Sequence, residues 1–137
     1  MANWSVKKTI IIQLPWLLWL IVIAVLSFIP GDRLPDLEFE WFKVDTFIHV
    51  IMYLVLIFFM QVAFFYDKNE LFFIQVLYSI VICLLIGYGI ELIQGHYIKN
   101  RFFSWSDVIS NGTGAILGSL AFRYYRKKDI NLVRFLK

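Results

Sequence analysis

Asp45 and His49 stand four residues apart at the head of one apolar run, and Glu91 and Gln94 close another. Asp107 and Asn111, again four apart, open a third, and Arg101 and Ser106 lie in the polar stretch before it. Carboxylates and imidazole are the side chains of general acid–base chemistry, and histidine titrates nearest neutral pH. An arginine fork suits a phosphate or carboxylate, which it can grip through paired hydrogen bonds. Burying such groups in hydrocarbon is costly, so a chain that carries them at the edges of apolar runs generally uses them.

The elements that hold them are set by composition. The chain has 137 residues, 61% of them hydrophobic, with a mean hydropathy of +0.74. Water-soluble chains run at about 45–50% apolar. Four apolar runs, near 10–29, 44–65, 71–93 and 108–125, each approach the roughly 20 residues that cross a bilayer as a helix. The expected fold is all-α, a single-domain bundle of four transmembrane helices over residues 1–137 with a basic tail at 126–137. The first run is too long for the apolar core of a signal peptide, and no Ala-x-Ala-type cleavage site follows it. It is read as a retained helix, with Pro15 kinking its start or marking where the regular helix begins. Cys83, the single cysteine, is a small buried hydrophobe in this reading.

Basic residues orient the bundle. Lys7, Lys8, Lys68, Arg123, Arg126, Lys127 and Lys128 flank one side, whereas the first loop of the other side is dominated by Asp32, Asp36, Glu38 and Glu40. The positive-inside rule then places both termini in the cytoplasm of a multi-pass cell-membrane protein. Trp41, Phe102, Phe103 and Trp105 fit an outer aromatic belt, and Tyr66, Tyr124 and Tyr125 an inner one. The net charge of +3 is a topology signal, and no nucleic-acid partner is expected. The tail is read as an anchor on the anionic inner leaflet.

With that topology, the polar groups fall within roughly 10 Å of the outer interface at a rise of 1.5 Å per residue. The inner half is expected to hold almost none. Helical spacing puts Asp45, His49 and Tyr53 on one stripe, and Asp107, Asn111, Gly114 and Gly118 on another. The small residues of the second stripe allow close helix contact, so it should face the bundle interior. Plainer roles stay open for each group. Asp45 and Asp107 suit helix starts as caps, Asn111 and Gln94 suit interhelical hydrogen bonds, and His49 with Asp45 forms a self-contained pair. Glu91 differs, because an acid at a helix C-terminal end opposes the dipole and needs a cation or proton. His96 is placed in a loop.

At these residues the chain resembles the VanZ-like family of small bacterial membrane proteins. The resemblance rests on Val44-Asp45, His49, Tyr53-Leu54, on Glu91-Leu92-Ile93-Gln94 with Arg101, and on Ser106-Asp107-Val108, Asn111, Gly114-Ala115 and Gly118. It covers the second to fourth apolar runs. One departure is Thr46, where the family often has lysine; any contact which that lysine makes in relatives falls here to another group, such as Lys43, or is missing. The resemblance implies a link to reduced susceptibility to teicoplanin, a lipoglycopeptide that acts on cell-wall precursors.

Three functions follow. In the first, the protein modifies an envelope lipid or cell-wall precursor at the outer leaflet. His49 is then acid or base, Asp45 orients it, Glu91 and Asp107 are partner acids, and Arg101, Gln94, Asn111 and Ser106 bind the ligand. In the second, the same residues bind a headgroup, precursor or lipoglycopeptide without turnover. In the third, they form a structural network with no ligand. A divalent cation on His49, Glu91 and Asp107 suits the chemistry, but the spacing matches no strong metal motif, so no metal is assigned. The sequence identifies no cofactor.

Overall fold

In a computed structural model, residues 2–33, 38–39, 42–65 and 73–127 are described. The chain is built from four helices: α1 (Ala2–Ser27), α2 (Val44–Phe65), α3 (Phe73–Tyr97) and α4 (Trp105–Lys127). A 3₁₀ turn (Gly31–Arg33) and a two-stranded antiparallel hairpin join α1 to α2. In the hairpin β1 (Glu38–Phe39) pairs with β2 (Phe42–Lys43), Phe39 opposite Phe42. The sequence reading expected only a short loop there. Its candidates Asp36, Glu40, Trp41, Tyr66, Lys68 and the tail beyond Lys127 lie outside the described residues.

Three helices are long and apolar enough to cross a membrane: Lys7–Ser27, Val44–Phe65 and Phe73–Tyr97. Their outward faces carry Leu18, Ile21, Val25, Ile51, Phe73 and Leu85, all exposed. A stripe this apolar facing outward is what hydrocarbon solvates and water does not. Helix α1 continues through Pro15 instead of beginning there. Its buried positions are few, Ile12, Ile23 and Ser27 among them, and Trp19 ties it to α2 by donating its indole N–H to the Met52 carbonyl at 2.9 Å.

Helix α2 touches the other three and packs most extensively on α4. The reason lies in two glycines. A methyl group at Gly114 would overlap the Val50 carbonyl oxygen, and one at Gly118 would overlap that of Leu54. Only hydrogen at these positions lets the two backbones lie so close, which is the role expected of small residues spaced four apart. Between α2 and its neighbours sits an apolar core of Ile23, Met52, Leu56, Ile57, Met60, Cys83, Ile90 and Ala115. Cys83 is fully buried in it, as its plain reading anticipates. At the far end Arg126 donates to the Phe65 carbonyl at 2.9 Å, capping the last turn of α2.

Candidate polar site

Helices α2, α3 and α4 each contribute one stripe to a cluster at the end where α2 and α4 begin and α3 ends. On α2, Asp45 and His49 are one turn apart, with the His49 ring buried and Asp45 half-exposed. On α4, Asn111 is buried and lies one turn below Asp107. On α3, Glu91 and Gln94 are both buried. Three helices therefore place six candidate side chains at one end.

The contacts start at His49. Its Nδ1 lies 3.0 Å from the Asn111 side-chain oxygen, a hydrogen-bond distance. Glu91 Oε1 lies 3.8 Å from the same Nδ1, and Asp45 Oδ1 lies 3.8 Å from Nε2. Both separations are too long for direct hydrogen bonds. Asp45 Oδ2 in turn lies 3.6 Å from Arg101. Arg101 follows a turn closed by its own N–H donating to the Ile98 carbonyl at 3.3 Å. Asn100 in that turn has φ of 57°, a left-handed conformation that asparagine tolerates better than most residues. Gly31 donates to the Lys99 carbonyl at 3.1 Å and so binds the two loops of this end together. Packing of Phe103 on Trp105, with centroids 5.1 Å apart, and on Tyr88 seats the α3–α4 loop against α3.

Two positions differ from the sequence reading. Helix α4 begins at Trp105, three residues earlier than the apolar run implied, and Ser104 is its cap. The Ser104 hydroxyl accepts from the Asp107 N–H at 3.3 Å, the Ser-x-x-acid pattern of a capping box. Asp107 is therefore not the cap, and its carboxylate is left for the cluster. Helix α3 runs to Tyr97, so Glu91 lies more than a turn inside it and His96 lies on its last turn. The dipole argument for Glu91 fails on this ground, since that field fades within the last turn. What remains is burial: Glu91 is 0% exposed, receives one long hydrogen bond from the Ser104 N–H at 3.4 Å, and its Oε1 accepts none among the described residues. His96 is exposed, and its Nδ1 bonds the Leu92 carbonyl at 2.8 Å.

Ser106 is exposed, and its carbonyl accepts from the Ser110 hydroxyl at 2.8 Å; no contact with the cluster is seen for its side chain among the described residues. Gln94 is buried on the Glu91 face one turn further on. Asp45, His49, Glu91, Arg101 and Asn111 form a connected chain of contacts, and Asp107 joins through its approach to Asp45 and His49.

The sequence reading missed a second polar group. Gln61 is fully buried and donates to the Ser79 hydroxyl at 2.8 Å and the Ser119 hydroxyl at 3.0 Å. It lies twelve residues past His49 on α2, about 18 Å further along. The expectation of an almost wholly apolar inner half is thus corrected. Leu56, Ile57 and Met60, all at 0% exposure, lie between the two groups along α2 and separate them. A lone amide and two scattered serines gave no clustered signal in sequence, although each interrupts an apolar run.

Against known proteins, no family model, no curated protein and no solved structure matches this chain.

Proposed function

We propose that this chain is a VanZ-like membrane protein that crosses the cell membrane four times with both termini cytoplasmic. Its polar cluster opens at the outer leaflet and holds an anionic headgroup of an envelope lipid or cell-wall precursor. The observation that carries this reading is the state of Arg101. Its side chain is largely buried, reaches Asp45 by one terminal nitrogen at 3.6 Å, and leaves Nε without a partner among the described residues. A buried guanidinium N–H aimed at nothing is costly, and a phosphate or carboxylate oxygen is its natural complement.

The fourth crossing is supported by the two faces of α4. Asn111, Ser110 and Ser119 point inward, and Ile109, Ile116, Leu117 and Leu120 point outward. Between Val108 and Leu120 the exposed positions are apolar except Thr113, whose hydroxyl donates to the Ile109 carbonyl at 2.9 Å, and Ser110, Asn111 and Ser119 are buried. At 23 residues α4 is about 34 Å long, enough for the hydrocarbon core. Exposed Phe102 and Trp105 at the cluster end suit an interfacial belt.

Turnover, as against binding alone, is favoured by His49. Its Nδ1 is engaged by Asn111, which leaves Nε2 as the nitrogen able to exchange a proton with a ligand beside Asp45 and Asp107. Candidate envelope lipids incubated with the wild type and with His49→Ala, then read by mass spectrometry, test this. Conversion by the wild type alone supports an enzyme. Equal lipid retention by both without conversion supports a binding protein, for which lowered teicoplanin susceptibility would depend on Arg101 and not on His49. Failure of both to retain any anionic lipid would contradict the reading.

A further inference from the structure

The metal expectation drawn from sequence weighed His49, Glu91 and Asp107 and assigned none. The geometry selects a different trio. One donor atom from each of Asp45, His49 and Asp107 lies within 4.8 Å of the other two. No linear motif encodes this set, because Asp107 comes from α4 and the other two from α2.

We propose that Asp45, His49 and Asp107 bind a first-row divalent cation of the Zn²⁺ or Mn²⁺ type. The first argument is the imidazole. Its Nδ1 lies 3.0 Å from the Asn111 side-chain oxygen, and its Nε2 is the nitrogen turned to Asp45, 3.8 Å from Oδ1. This is the arrangement of a metal-bound histidine, whose other nitrogen donates to an outer partner that orients the ring. The second argument is mutual repulsion. Two carboxylates meet beside Nε2, and the one charge of Arg101, 3.6 Å from Asp45 Oδ2, does not offset both. A divalent cation does so.

The third argument is independent of the trio. Glu91 is fully buried behind His49, 3.8 Å from Nδ1, and its Oε1 has no partner among the described residues. It closes the Nδ1 side of the ring, so Nε2 is the nitrogen left facing the two aspartates.

The donor set narrows the ion. One imidazole nitrogen with two carboxylates is a mixed N/O set that suits Zn²⁺ or Mn²⁺. Calcium takes roughly six to eight oxygens, more than these residues provide. Donors bound at about 2.1 Å to one ion lie no more than about 4.2 Å apart. The Asp45–His49 pair, at 3.8 Å, already meets this limit, and side-chain rotation at Asp107 or at half-exposed Asp45 covers the difference from the 4.8 Å bound on the trio. Three protein ligands leave open positions, and Arg101 beside Asp45 would steer an anion toward them.

The inference concerns the same cleft as the proposed function, but it rests on donor geometry and not on any substrate; with an ion on Nε2 that nitrogen is a ligand and not the base, and His49→Ala then removes turnover through loss of the metal. The test uses the full chain in detergent, stripped with chelator and dialysed against Zn²⁺, Mn²⁺ or Mg²⁺. About one equivalent of Zn²⁺ or Mn²⁺ should be retained, with much less Mg²⁺. His49→Gln and Asp107→Asn should each lose that equivalent, and Asn111→Ala should weaken it by about 10–100-fold. If those variants do not fold, spin-echo spectra of Mn²⁺ on the wild type serve instead. They should show one histidine nitrogen, and His96→Ala, altered only at an exposed residue, should keep it. No uptake by the wild type at millimolar metal, uptake unchanged in His49→Gln or Asp107→Asn, or a nitrogen signal lost in His96→Ala would each overturn the site. Retention of anionic lipid, measured on the same samples, reads the proposed function separately.

Discussion

Asn111 is the residue on which the chemistry of the cluster turns. Its side chain is the one hydrogen-bond partner of the His49 ring among the described residues, 3.0 Å from Nδ1. Asn111→Asp should keep the bond, and Asn111→Leu should remove it. We expect Asn111→Leu to leave a buried imidazole nitrogen unpaired and to cost about 1–3 kcal/mol of stability, read from a thermal melt in detergent. Its effect on any turnover should exceed that of Ser106→Ala, which alters an exposed hydroxyl and should leave both melt and turnover unchanged. Most of this scale was legible from spacing, because residues four apart on a helix must share a face. Asp45 with His49 and Asp107 with Asn111 needed no more than that. The partner of each stripe was not legible, since which helix faces which depends on packing. The role of Ser104 was open to inspection in its spacing to Asp107 but was given instead to the acid.

Helices α2 and α4 form the frame that brings the stripes together, and Gly114 and Gly118 set their separation. Gly118→Leu should force the helices apart, cost about 1–3 kcal/mol as overpacking does, and disturb the cluster from below. Substitution at Gly89, where an added Cβ meets nothing within 4 Å, should be neutral and serves as the control. The four apolar runs were readable from hydropathy, whereas helix ends were not. Polar or aromatic residues at a membrane edge extend a helix without prolonging its apolar run, as Trp105, His96 and Tyr97 do here. The Gln61–Ser79–Ser119 group belongs to this scale as well. Interhelical hydrogen bonds of this kind average about 0.6 kcal/mol, so Gln61→Leu should shift the melt slightly and spare lipid retention. A large loss of function with an intact melt would instead mean that the polar path continues inward.

At the scale of the molecule, the claim is that these helices cross the bilayer with the cluster outward. Cys83 is fully buried, so replacing it with serine gives a background for single-cysteine labelling. Lys99→Cys should react with an impermeant maleimide in intact cells, and Lys127→Cys only after permeabilisation. The reverse pattern would invert the orientation and face the cluster to the cytoplasm. The account stands most directly on whether Arg101 and its neighbours hold an anionic headgroup. Native mass spectrometry of the purified protein with an envelope-lipid extract measures this. The wild type should retain an anionic lipid, and Arg101→Ala should retain it at least about tenfold less well, the loss of one charge-assisted hydrogen bond. Equal retention by the two proteins, or none by the wild type, would contradict it.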